Sequence, residues 1–271
     1  MARTGRPFSI GLVAAAFITL VACSSRAGDE GASGQPSAVP SKGENAGLVY
    51  VSLGDSWPEG AHCDGCRTFP QLHAEGLEQM LGRPITLKEL AGQAQPYFDS
   101  LGGGAASLLE AIEADEAFRD EVGTRDIIVI ATGPNEIEQA FEKIQDGTCG
   151  TKDDMACVDE LRRAWERDFD AILDEIETLR DGRPTAIRVV NAANAFIDPS
   201  AGRETSRGFA AVFEALTQVL CDDAEAHGAV CVDVRPVLNG PDLDQPVNDS
   251  SQESMDAVAL LLVQTGVPEL E

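Results

Sequence analysis

Leu48–Trp57 reads LVYVSLGDSW, and this stretch decides the fold. Leu48–Leu53 is a short apolar run that ends at a glycine. A run apolar on both faces suits a buried parallel strand better than a half-exposed one. Similar runs recur: Ile85–Leu90, Asp126–Thr132 (DIIVIAT, the strongest strand signal), Ala186–Asn191 and Ala229–Val234. Helix-period segments separate them: Thr68–Leu81, Leu108–Val122, Val158–Arg180, Phe209–His227 and Met255–Gln264. Strands alternating with helices predict a parallel sheet covered on both faces. In such folds ligands sit beyond the carboxyl ends of the strands. The residues following each strand are therefore the ones to read for chemistry.

Gly54-Asp55-Ser56-Trp57 follows the first strand, Ala91-Gly92-Gln93 the second, and Gly133-Pro134-Asn135-Glu136 the third. A serine, a close-approaching glycine and an asparagine amide on one edge suit acyl transfer. The hydroxyl attacks an ester carbonyl, and backbone and amide N–H groups stabilise the resulting oxyanion. In this order the three blocks resemble those of the SGNH/GDSL hydrolases, over about residues 48–271. The resemblance implies a three-layer α/β/α, flavodoxin-like fold with about five parallel strands. It also implies Ser56 as nucleophile, and Ser56 N–H, Gly92 N–H and the Asn135 side chain as the oxyanion hole. Gly-x-Ser-x-Gly is absent, so the nucleophile elbow of the α/β-hydrolases is not indicated.

That family also carries Asp-x-x-His before its last helix, the histidine serving as base. Here no histidine follows His227. If Ser251-Gln252-Glu253-Ser254 opens the last helix, Asp249 takes the histidine's place and Pro246 the aspartate's. An aspartate near its reference pKa of about 3.9 matches a serine proton poorly unless burial raises it. His62, six residues past Ser56, is the other stand-in. His73 reads as a partly buried packing residue on the flank of its helix, and His227 as a helix C-terminal cap. Two readings follow: a serine ester hydrolase for lipid, acyl or O-acetyl-carbohydrate esters, or a degenerate relative that binds a ligand or partner without turnover.

The N-terminus adds a location. Arg3 and Arg6 precede an apolar run, Phe8–Ala22, which ends in Leu20-Val21-Ala22-Cys23. The run is shorter than the ~20 residues of a spanning helix and has the make-up of a signal peptide. Cysteine at the cleavage point resembles the bacterial lipobox. The resemblance implies residues 1–22 as signal, Cys23 as the lipidated residue, and a protein anchored to the cell membrane, facing the extracellular side or periplasm. Residues 23–47 are rich in Gly, Ser, Pro and Ala and read as a flexible tether; residues 48–271 form the folded domain. Six cysteines remain. In an oxidising compartment they form disulfides, expected here between neighbours: Cys63/Cys66, Cys149/Cys157 and Cys221/Cys231. His62-Cys63-x-x-Cys66 with His73 is the competing, zinc-type arrangement; export disfavours it, and no metal or organic cofactor is expected.

The 271 residues include 20 Lys+Arg and 46 Asp+Glu, a net charge of −26. Such a surface repels phosphate backbones, so nucleic acid is not an expected partner. The expected partners are the membrane, through the lipid, and a small ester or carbohydrate ligand bound by a monomer.

Overall fold

A computed structural model describes residues 46–60, 63–92, 104–133, 135–151, 153–198, 200, 202–247 and 251–270. Within them the elements run β1 (Leu48–Gly54), α1 (Phe69–Leu81), β2 (Ile85–Glu89), α2 (Ala105–Ala114), α3 (Glu116–Gly123), β3 (Ile127–Ala131), α4 (Glu138–Gln145), α5 (Ala156–Arg180), β4 (Ala186–Val190), α6 (Arg203–Ala226), β5 (Val230–Val232), α7 (Arg235–Leu238) and α8 (Gln252–Thr265). The described residues lie in one compact unit, Lys42–Glu271. The signal at 1–22, Cys23, and almost all of the tether lie outside the described residues, as do His62 and Asp249.

The five strands form one parallel sheet in the order β2-β1-β3-β4-β5. The three central strands β1, β3 and β4 bury both faces, whereas the edge strand β2 is largely open. Alternate residues of the central strands therefore feed two cores. Ile128 and Ile130 of β3 join Val51, Leu53, Trp165, Phe169 and Leu216 under α2, α3, α5 and α6. Ile127 and Val129 join Tyr50, Phe69, Leu77, Val258 and Leu262 under α1 and α8. The three layers are thus those the apolar runs predict.

Element boundaries correct the sequence reading in three places. The segment expected as one helix over 108–122 is two, because Asp115 ends α2 with an extended backbone (φ −105°, ψ 107°) and caps α3 through its side chain, which accepts from Ala117 N and Phe118 N. α6 begins at Arg203, six residues before the expected start. Its first turns are polar, so no apolar stripe marks them. β5 is only Val230–Val232, shorter than its apolar composition suggests. α1 begins as expected, with Thr68 accepting from Gln71 N while the Gln71 side chain accepts from Thr68 N.

The three neighbouring cysteine pairs are disulfides, Cys63–Cys66, Cys149–Cys157 and Cys221–Cys231, with Cα separations of 5.4, 5.8 and 4.9 Å. The zinc alternative also loses His73, which is wholly buried rather than flanking. Its Nδ1 meets the Tyr50 hydroxyl at 3.2 Å beneath the sheet. Burial, with the positive charge of Arg188 adding, lowers its pKa from 6.5 to about 3. The folded state therefore favours neutral imidazole. Its contribution is present above pH ~6.5 and is lost as pH falls from there toward 3. Replacing His73 by Leu should remove that dependence. Denaturation at pH 7 and at pH 4 should show the wild type losing about 3 kcal/mol more than His73→Leu over that interval.

An ion pair between a buried arginine and an exposed glutamate holds the segment after α8. Arg188 on β4 is completely buried and donates through Nη1 and Nη2 to Glu269 at 2.9 Å each, and also to the Gly266 carbonyl. Removing one partner leaves a buried charge uncompensated. Arg188 keeps its bonds to the Gly266 and Ile187 carbonyls, so Glu269→Ala should lower unfolding free energy by about 2 kcal/mol in a denaturant titration.

Candidate active site

The sheet order reverses at β1. The chain continues from β1 to β2 on one side and then returns to β3 on the other, so the carboxyl ends of β1 and β3 flank the crevice where α/β folds bind ligands. Gly54 of β1 pairs with Ala131 of β3, which brings Asp55-Ser56 and Gly133-Asn135 to one point. The approach needs glycine: Gly54 has φ +141°, and a Cβ on it would stand 1.9 Å from the Ala131 carbonyl oxygen.

Asp55 organises this point. It is 8% exposed. Its Oδ2 accepts from Gly133 N at 2.6 Å and from Asn135 Nδ2 at 3.0 Å, and its Oδ1 accepts from Trp57 N at 2.9 Å. One carboxylate thus fixes the turn that presents Ser56 and the loop that presents Asn135. Ser56 is half-buried at the start of that turn. The amide of Asn135 has two hydrogens, and Asp55 takes one.

Gly92 reaches the same place from β2. Its N–H donates to the Gly54 carbonyl at 3.3 Å, and its φ is +68°. A Cβ there would stand 1.9 Å from Glu59 Oε1. Ser56, Gly92 and Asn135, predicted from three separate blocks, are therefore drawn to one edge through Gly54, Ala131 and Asp55. Trp57 tilts against Phe69 at 5.0 Å between ring centres, so it packs the core rather than standing free.

Neither described histidine serves Ser56. His73 Nδ1 is on Tyr50, and its Nε2 is buried with no hydrogen-bond partner. His227 caps α6 at the opposite end of the sheet, as expected, and bridges Glu177 and Asp170 of α5 at 3.1 Å each. Burial opposes its charge, but the Asp170 and Glu177 hydrogen bonds outweigh it and raise its pKa. Among the described residues, Asp174, Glu177 and His227 are the one group spaced to hold a metal ion, far from the strand ends that carry Ser56.

Two features escaped the sequence reading. One is Asp55 as the hub, hidden because a GDS block names the serine and not the acid's partners. The other is a groove of about 400 Å³ beyond β4, lined by Phe196, Ile197, Arg207, Leu243 and Asp244 among others. Phe196 stacks on Phe209 at 4.7 Å and meets Phe141 of α4 at 5.7 Å. No periodic pattern marks it, because it joins two loops with one turn of helix.

No protein-family model matches the sequence, and neither does any curated protein. Solved structures do match in fold. A lipase from a goat rumen metagenome superposes with a TM-score of 0.63 at 19% identity, covering 83% of this chain and all 100% of its own. An extracellular lipase from Streptomyces rimosus gives 0.54 at 14% identity, covering 81% and 99%. At these identities the likeness establishes the fold alone, the three-layer α/β/α arrangement shared with these lipases. No helix among the described residues is long and apolar enough to cross a membrane.

Proposed function

We propose that this chain, built on the SGNH/GDSL hydrolase fold, is a serine ester hydrolase of that family, held at the cell membrane by lipid on Cys23. The observation that carries the reading is the Asp55 clamp, which joins the serine turn to Gly133 and Asn135 by hydrogen bonds of 2.6–3.0 Å. Such a clamp preorganises donors before charge develops, which is what an oxyanion hole requires. Ser56 attacks the ester carbonyl; the second Asn135 amide hydrogen and the Ser56 N–H receive the oxygen. The Gly92 N–H joins them by leaving its long 3.3 Å bond to Gly54 for an anionic, stronger acceptor.

The substrate class is a lipid, acyl or O-acetyl-carbohydrate ester. Both solved structures compared above are lipases, which supports this class. The acidic surface favours neutral substrates over anionic ones. A second reading, ligand binding without turnover, is favoured by one observation: neither described histidine approaches Ser56. A p-nitrophenyl ester series from acetate to octanoate separates the two readings. Hydrolysis that disappears in Ser56→Ala supports the enzyme. Equal background rates for both proteins across the series refute it and leave the binding reading.

A further inference from the structure

Glu59 is an exposed acid beside the site. It is three residues beyond Ser56, on a turn closed by the Gly60 N–H donating to the Trp57 carbonyl at 2.9 Å. Its side chain returns over the site: Oε1 lies 1.9 Å, and Oε2 2.0 Å, from the position of a Cβ on Gly92. The carboxylate therefore touches the backbone that the hydrolase reading assigns to the oxyanion hole. The charged groups acting on it are Glu89, from the end of β2, and Asp55, from the loop after β1; both are acids. Partial burial first, and these two charges next, raise its pKa above the ordinary carboxylate value.

An ionised Glu59 and an oxyanion at Gly92 repel each other at this close range. The repulsion vanishes if the proton leaving Ser56 arrives on Glu59. The site then carries one negative charge before and after attack, first on the carboxylate and then on the oxyanion. Asp55 is unsuited to this, since both its oxygens already accept backbone or amide hydrogens.

Resting on the ester-hydrolase reading, we propose that Glu59 is the general base for Ser56. The Ser56 hydroxyl proton passes to Glu59 as the Oγ–carbonyl carbon bond forms and the carbonyl electron pair moves onto oxygen. On collapse, the bond to the leaving alkoxide breaks, and the alkoxide takes the proton from Glu59. Water then attacks the acyl-serine and gives its proton to Glu59. Collapse releases the acid, and Glu59 returns the proton to Ser56 Oγ. Both half-reactions balance without a cofactor.

The test measures kcat and KM for p-nitrophenyl acetate from pH 4 to 9 in wild type, Ser56→Ala, Glu59→Gln, Glu59→Asp and Glu89→Gln, with thermal unfolding of each. A general base typically contributes 10²–10⁴-fold. Glu59→Gln should lower kcat by about 10²-fold or more with KM little changed and unfolding unaltered. Glu59→Asp should retain part of the activity. In wild type, kcat should fall toward acid as Glu59 protonates. Glu89→Gln, which removes a like charge, should move that fall to lower pH. Unchanged activity in Glu59→Gln overturns the proposal, and so does a rise, which would make the carboxylate a mere obstruction. If Ser56→Ala is dead and Glu59→Gln is not impaired, the base assignment falls and the hydrolase reading stands. If wild type and Ser56→Ala are equally inactive, both fall.

Discussion

Ser56→Ala should reduce ester hydrolysis by more than about 10³-fold while leaving the unfolding temperature nearly unchanged. Removing the nucleophile ends the covalent route, and only the donors around the site remain to assist water, worth about 10³-fold over the uncatalysed rate. Ser56 is half-buried, and losing one oxygen leaves no large cavity. A steady-state assay with purified wild type and variant, paired with thermal unfolding, checks both parts. A variant that keeps a tenth of the activity would mean that another group performs the attack.

Asp55→Ala should lose activity and stability together. The carboxylate accepts hydrogen bonds from Trp57 N, Gly133 N and Asn135 Nδ2, and it is 8% exposed. Truncation leaves the Gly133 N–H without this acceptor and frees the Asn135 amide to rotate. Misplacing one oxyanion donor costs about 10²–10³-fold in kcat. Leaving buried donors without an acceptor costs roughly 1–3 kcal/mol. The expected result is a kcat near 10²-fold below wild type together with an unfolding free energy about 2 kcal/mol lower. The two variants are thereby distinguishable: Ser56→Ala loses chemistry alone, whereas Asp55→Ala loses the frame. Asp55→Asn should lie between wild type and Asp55→Ala, since its amide offers one accepting oxygen where the carboxylate offers two.

The strands and the three motif blocks were legible because each rests on local information. Within DIIVIAT, Ile127–Ile130 is β-branched and apolar without interruption, and the structure buries every residue of Ile127–Ala131. Leu161, Trp165, Phe169, Ile172 and Ile176 fall at helical spacing, and all are buried in α5. The features that stayed hidden depend on partners distant in the chain. His73 looks like a flank residue on α1, but Tyr50 lies 23 residues earlier and offers a hydroxyl from the sheet, so the imidazole goes inside. Asp115 sits within a helical composition, yet its side chain can cap the helix that begins at Glu116, and the chain breaks into two helices there. Glu59 looks like a loop acid because nothing in a turn sequence tells where Gly92, from another strand, will stand. The Asp55 clamp is equally hidden: Gly133 and Asn135 are 78 and 80 residues away.

Ser56 is, on this account, an activated nucleophile at the crevice between β1 and β3. The most direct measurement treats the purified protein with a fluorophosphonate, which reacts with activated serines, and maps the adduct by peptide mass spectrometry. One adduct is expected, on Ser56, missing in Ser56→Ala and much weaker in Asp55→Ala. No adduct on the folded wild-type protein, or an adduct on a different serine, would contradict the assignment.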